Sequence, residues 1–324
     1  MLASREELAT AIGISWQKNA TYFDTIPLHP LGEQSYLNFV NAGSDLEDMH
    51  ARWRVSAMQT IITIYIFWLF AANYLASVRM TLARPRALAP WCCLLQSLAG
   101  IVCALFSPNA YTPSDISCRE IIWMITICIR INDLCATSIL LQKAYIVKNC
   151  SRWLFVFIPL TVIAPVPLLY TAWSSPVILS TISSGCVFIY PDYYPWLRFI
   201  FHAPLNFVLT TIFIEVAYSQ HKRFGSYAWK QLAREGIQVG LQLLAVNLLC
   251  TLAISFEIVG VYSIALTLPE WCISSVLLVT HIDDISKIKP VKQEAVKAKM
   301  MQAGNCSGSD MAPLDYYVPW STTL

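Results

Sequence analysis

The sequence predicts an all-α membrane protein: a seven-transmembrane helix bundle with its N-terminus outside and its C-terminus in the cytosol. Three observations carry that reading: an apolar composition, seven stretches of spanning length, and Lys and Arg concentrated in alternate loops. Hydrophobic residues form 56% of the 324-residue chain, charged residues only 13%, and mean hydropathy is +0.53. A soluble domain carries roughly 25% charge, so this chain has about half of what wets a globular surface. Disorder needs the opposite composition. The net charge of +2, with no dominant basic run, argues against a nucleic-acid partner and leaves the lipid bilayer as the partner the composition demands.

A spanning helix needs ~20 mostly apolar residues, because in hydrocarbon each backbone N–H and C=O must be satisfied within the segment. Seven stretches qualify: Val55 to Val78, Leu88 to Phe106, Ile121 to Gln142, Trp153 to Trp173, Phe199 to Tyr218, Ile237 to Ile258, and Ser263 to Ile282. Only Gly260-Val261-Tyr262 separates the last two. One continuous helix there would far exceed a bilayer crossing, so a tight hairpin near Gly260 is expected. The chain then divides into an extracellular tail over residues 1–54, the helical domain over 55–282, and a cytosolic tail over 283–324.

Orientation follows from the positive-inside rule. The 1–2, 3–4 and 5–6 loops hold Arg79, Arg84, Arg86, Lys143, Lys148, Arg152, Lys222, Arg223, Lys230 and Arg234. The opposite loops offer only Arg119 and Arg198. Residues 1–48 contain no apolar h-region, so no cleaved signal peptide is expected. The acidic N-tail carries a glycosylation sequon at Asn19-Ala20-Thr21, which marks the protein as a candidate glycoprotein.

Seven of the eleven cysteines lie inside spans, where cysteine behaves as a small apolar residue. Cys150 and Cys306 fall on the cytosolic side. Only Cys118, opening the third span, and Cys186, in the 4–5 loop, lie on the oxidising side. Either they form a disulfide pinning that loop over the bundle mouth, or they are two free thiols. No CxxC pair or His/Cys cluster supports a metal site, and no cofactor is expected.

Seven spans, an outer N-terminus with a sequon, and a cysteine opening span three with a partner in the 4–5 loop resemble a divergent rhodopsin-like (class A) G-protein-coupled receptor. Asn73 in Ala72-Asn73-Tyr74-Leu75 and Pro204 in span five sit where that family usually carries Asn and Pro. The family's acidic-Arg-aromatic tripeptide is replaced by Gln142-Lys143-Ala144, followed by Tyr145. The resemblance thus makes Lys143 and Tyr145 the candidate partner-coupling residues and a heterotrimeric G protein the candidate partner. Span two lacks the family's Asp, span six its Trp and Pro, and span seven its Asn-Pro-x-x-Tyr. Span seven also has no lysine for a retinal Schiff base, which excludes an opsin.

An ionisable group at bilayer depth costs ~2.5–3.5 kcal/mol on insertion scales, so each is a functional candidate. Arg130 and Asp133 sit mid-span, three residues apart and so on one helix face. Glu270 lies about a third of the way into span seven and His202 toward the outer side of span five. Both carboxylates can engage Arg130, and a buried charge must be paired or neutralised. Two readings follow: an ion network that glues helices, or the floor of an outward-opening cavity that binds a ligand. In the second, Arg130, Asp133, Glu270 and His202 are the ligand contacts; His202 has the alternative of an ordinary core histidine. Glu215 and Glu257 lie near the interfaces and read as structural. Tyr190, Tyr193, Tyr194 and Trp196 form either a ligand lid or the aromatic belt common at membrane interfaces. Five prolines within spans predict kinks.

Past Ile282, a short basic amphipathic helix on anionic lipid is expected, followed by disorder. The functional expectation is a plasma-membrane receptor without catalytic residues, binding an extracellular small molecule or peptide and signalling inward. The alternatives are a terpene-cyclase-like membrane enzyme using Asp133 and Glu270 as acid and base, or a structural or transport protein. Spans one, two and four carry no charged residue, which leaves a polar transport path thin.

Overall fold

The structure, a computed structural model, describes residues 16–17, 20–24, 26–109, 116–147, 152–175, 178–181, 185–224 and 228–283. Asn19 of the sequon and the tail from residue 284 with its expected amphipathic helix lie outside the described residues. The protein is mostly helical. Among the described residues six helical segments are long and apolar enough to cross a membrane, from Leu46–Ala83 to Tyr262–Asp283. A shorter apolar helix, Val239–Ser255, stands where the sixth span was expected.

Before the first long helix the chain is folded. Strands β1 (Thr21–Phe23) and β2 (Ile26–Leu28) pair antiparallel, reversing at Asp24 with φ 54, a left-handed conformation Asp tolerates better than most residues. A 3-10 turn, Pro30–Gly32, leads into α1 (Tyr36–Asn41), whose cap residue Ser35 accepts at Oγ from Asn38 N–H. Helix α2 (Leu46–Ala83) starts ahead of the apolar stretch it carries. Glu47 and Asp48 suit its positive N-terminal end, and Asp48 pairs with Arg52 at 3.0 Å. It stops at Arg84 because Pro85 follows, and the residue before proline is driven out of helical geometry.

The bundle continues with α3 (Leu88–Asn109) and α4 (Cys118–Val147). The fourth span is broken: a 3-10 turn at Arg152–Val156, then α5 (Phe157–Ile163) and α6 (Pro165–Ser174). Pro165 has no N–H and its ring crowds the preceding turn, so the break falls where the sequence places it. Strands β3 (Ile178–Thr181) and β4 (Gly185–Phe188) form a hairpin with Ile178 opposite Phe188. Next come α7 (Tyr194–Phe224), running through Pro204, and α8 (Ala228–Ser255).

The expected hairpin near Gly260 is present. Glu257 (φ 47) occupies the left-handed position just past α8, with Ile258 N–H donating to Ala253 O (3.1 Å) and Glu257 N–H to Ile254 O (3.2 Å). This is the Schellman pattern that terminates helices, with Glu in the place glycine usually takes. A 3-10 segment, Gly260–Leu266, then starts the last helix, α9 (267–283). Pro269 lies in its first turn, where a missing N–H costs nothing.

The main core, including Ile139, Leu140, Leu209, Phe213 and Leu243, joins α4, α7, α8 and α9. Large apolar residues such as Ile61, Trp68, Leu75, Phe207 and Leu249 are exposed, the outward pattern of a surface solvated by lipid. Gly100 permits close contact between α2 and α3, since a Cβ there would overlap the Phe70 ring. Phe70 in turn lies 4.8 Å from the buried Trp271 of α9.

Candidate functional site

One half of the bundle encloses a cavity of about 360 Å³. Its walls come from α2 (Gln59, Ile62, Thr63, Ile66), the α4 face from Ile121 to Arg130, and the segment from Tyr262 to Leu268. β4 covers it with Cys186, Val187 and Phe188. That hairpin is tethered: Cys118, the first residue of α4, is disulfide-bonded to Cys186, with Cα atoms 5.7 Å apart.

The N-terminal segment lies over the tether. Gly32 approaches the Ile178 carbonyl so closely that any Cβ would overlap it, a contact that only glycine allows. Cys118 N–H donates to Gln34 O at 3.4 Å, and Ser35 bridges Ser117. Arg119, expected as an outer-loop cation, is buried instead. It donates Nε to Glu33 and Nη1 to the Ser175 carbonyl (2.9 Å). Phe23 meets Trp123 and Trp173 at 6.1 and 6.3 Å. His29 is buried and accepts at Nδ1 from Leu31 N–H (3.3 Å). Burial, and secondarily the Arg119 charge, holds its imidazole below the usual histidine range.

At the inner end of the cavity stands Arg130, buried, with Nη1 2.8 Å from Asp133 Oδ2 and 3.5 Å from His202 Nε2. His202 Nε2 lies 3.8 Å from the same Asp133 oxygen. The 2.8 Å contact is an ion pair that lacks the alignment of a hydrogen bond. Helices α4 and α7 thus bring three of the four candidate ligand residues together, and of the four only Arg130 lines the cavity among the described residues.

Glu270 requires a correction. Its ion pair is with Arg198 and not with Arg130: Oε2 takes Arg198 Nη2 at 2.6 Å, both side chains being buried. Arg198 was expected in the outer loop, but α7 begins at Tyr194 and so carries Arg198 one turn before His202 on the same helix face. That i, i+4 spacing was the signal in the sequence. It was hidden by ending the apolar stretch at Phe199, because hydropathy trims a charged turn from a helix that tertiary pairing retains.

The rim aromatics divide. Tyr190 and Tyr194 are buried, and Tyr194 lines the cavity, whereas Tyr193 and Trp196 are exposed as interface residues would be. Deeper in, Asn73 Nδ2 and Gln96 Nε2 both donate to Ser275 Oγ, at 2.9 and 3.2 Å, tying α2 and α3 to α9. Gln96 and Ser275 were not singled out in the sequence. Asn247 accepts from Ser274 at 3.2 Å. Toward the other end of α4, Lys143 is half-buried, and Tyr145 stacks on Phe155 with centroids 5.2 Å apart. Among the described residues no group of three His, Cys, Asp or Glu side chains is placed to hold a metal ion. No protein-family model matches the chain, and no curated protein matches it.

Proposed function

We propose that this multi-span helical membrane protein is a seven-span plasma-membrane receptor. Its N-terminus is outside, and it binds an extracellular or membrane-borne ligand in the disulfide-capped cavity and signals to a cytosolic partner. The observation that carries this reading is Arg130: it faces the cavity on one side and, on the other, joins Asp133 of α4 to His202 of α7. A ligand that draws on Arg130 changes the α4–α7 contact. Because α7 is also bound to α9 through Arg198 and Glu270, the change reaches three helices. Ligand binding then favours one helix arrangement over another, and Lys143 and Tyr145 on α4 present the result to a heterotrimeric G protein. The acid–base enzyme alternative gains nothing from this geometry, since each carboxylate is already tied to an arginine.

The test begins with topology: an N-terminal epitope must be reached by antibody on intact cells and a C-terminal one only after permeabilisation. Membranes with that topology, challenged with a library of lipophiles, should raise nucleotide exchange on at least one class of Gα, and Lys143→Glu should abolish the rise. Inverted topology, or no exchange with any Gα class, refutes the receptor reading.

A further inference from the structure

The cavity's chemistry narrows what it can hold. Isoleucine is the commonest residue of its walls (Ile62, Ile66, Ile122, Ile125 and Ile129 among them), and among the described residues Arg130 is the one charged side chain of the lining. Arg130 is 3% exposed, and its Nε–H has no hydrogen-bond partner. A buried donor without an acceptor is costly, and nearly all such groups in proteins are satisfied, so an oxygen that reaches it from the cavity Arg130 lines would relieve that cost.

Charge decides which oxygen. Arg130 is already balanced by Asp133, and Arg198 by Glu270. A carboxylate ligand would leave the cluster net negative, an ammonium ligand net positive, and an uncompensated buried charge is strongly penalised. A neutral carbonyl or ester oxygen satisfies Nε–H without disturbing the balance.

Access points the same way. Toward the N-terminal end of α4 the cavity is covered by β4, and the N-terminal segment is docked on that hairpin through Gly32 and on α4 through Gln34 and the Glu33–Arg119 pair. In contrast, the lining residues Ile62 on α2, 49% exposed, and Ala265 in the 3-10 segment are both exposed. Ile62 adjoins the exposed Ile61, Ile64 and Tyr65 of α2, an apolar face suited to lipid.

We propose that the cavity takes a neutral, largely apolar small molecule whose carbonyl or ester oxygen accepts from Arg130 Nε–H. The molecule enters from the bilayer between α2 and the Gly260–Leu266 segment. This rests on the cavity being the ligand site of the proposed receptor, and a volume of about 360 Å³ is at the small end of the roughly 300–1,000 Å³ typical of such sites.

The experiment uses the full chain in lipid nanodiscs and four probes with one tail: methyl decanoate, decanoate, decylammonium and decane. Affinities come from concentration-dependent thermal stabilisation, and association rates from stopped-flow tryptophan fluorescence. Methyl decanoate should bind tightest. Arg130→Lys keeps a cation beside Asp133 but removes Nε–H. It should weaken methyl decanoate by about tenfold or more, the size of one hydrogen bond from a charged donor, and leave decane unchanged. Glu33→Gln, which loosens the N-terminal cover, should not change the association rate. Tightest binding by decanoate or decylammonium overturns the neutral head group. Equal binding to wild type and Arg130→Lys overturns the role of Nε–H, and severalfold faster association in Glu33→Gln overturns entry from the bilayer. Head-group discrimination without any nucleotide exchange sinks the receptor reading and leaves this one standing. Exchange driven by other ligands, with no preference for methyl decanoate, does the reverse.

Discussion

The Arg198–Glu270 pair offers a sharp test because its two halves fail differently. Both side chains are buried, at 1% and 10% exposed, and joined at 2.6 Å. Arg198 Nε and Nη1 have no further partner, so Glu270 is its main compensation. In Arg198→Met the orphan is a carboxylate, which can discharge by taking a proton. At pH 7 that costs about 1.36 kcal/mol for each pH unit above the ordinary Glu value of about 4.3, or roughly 3.7 kcal/mol. The loss is therefore capped near ~4 kcal/mol. It shrinks as the pH is lowered toward ~4.3, where the proton is already bound in the unfolded chain too. In Glu270→Met the orphan is a guanidinium, which does not deprotonate in proteins. Its penalty has no such ceiling and no relief with acid, and is several kcal/mol. The double variant Arg198→Met/Glu270→Met removes both charges and should recover most of the loss, since apolar replacements of buried pairs are often neutral. Unfolding in mixed micelles at pH 5 and pH 7, arranged as a double-mutant cycle, measures all three. Equal losses in the two single variants at both pH values would refute the reasoning, as would a single-variant cost below about 1 kcal/mol.

Three other outcomes follow from the same structure. Acidification should loosen the N-terminal cover: His29 is held neutral by burial and by Arg119. Its contribution is therefore present above the ordinary histidine pKa and lost as pH falls below it; the protection factors of residues 28–42, taken against the intrinsic exchange rate at each pH, should fall between pH 7 and pH 5, and His29→Gln should flatten the change. Reducing the Cys118–Cys186 bridge, whose sequence separation is 68, should lower stability by up to about 4 kcal/mol by the loop-entropy relation, read as a lower unfolding midpoint in dithiothreitol that Cys118→Ser/Cys186→Ser no longer shows. Gly100→Leu should cost about 1–3 kcal/mol by overpacking against Phe70, and Phe70→Ala in the same chain should restore part of it, measured by the same micellar unfolding.

Much of the architecture could be read from hydropathy. The long apolar helices, the turn at Gly260, the break around Pro165 and the pairing of Cys118 with Cys186 all follow from residues whose effect is local or whose alternatives are few. The Arg130–Asp133 pair was legible for the same reason, because three residues along one helix fix a distance. Contacts between helices were less legible. Hydropathy places Arg198 in a loop and so hides its pairing with Glu270, and of the Asn73–Gln96–Ser275 junction the sequence marks only Asn73. Nor did composition reveal that the stretch between Phe23 and Val40 docks on β3 and α4, since that docking depends on Gly32 fitting beneath Ile178 and on Glu33 meeting a buried Arg119.

By itself the sequence determined the solvent this protein needs, where its long apolar helices lie, and which two cysteines are free to meet. Tertiary structure alone decided that those two are bonded, which cation Glu270 pairs with and which helix faces enclose a cavity. The physical reason is that lipid and core are both apolar, so the two sides of a spanning helix carry nearly the same residues. Its rotation about its own axis is set by packing and by a few polar contacts, which appear only once the helices are assembled.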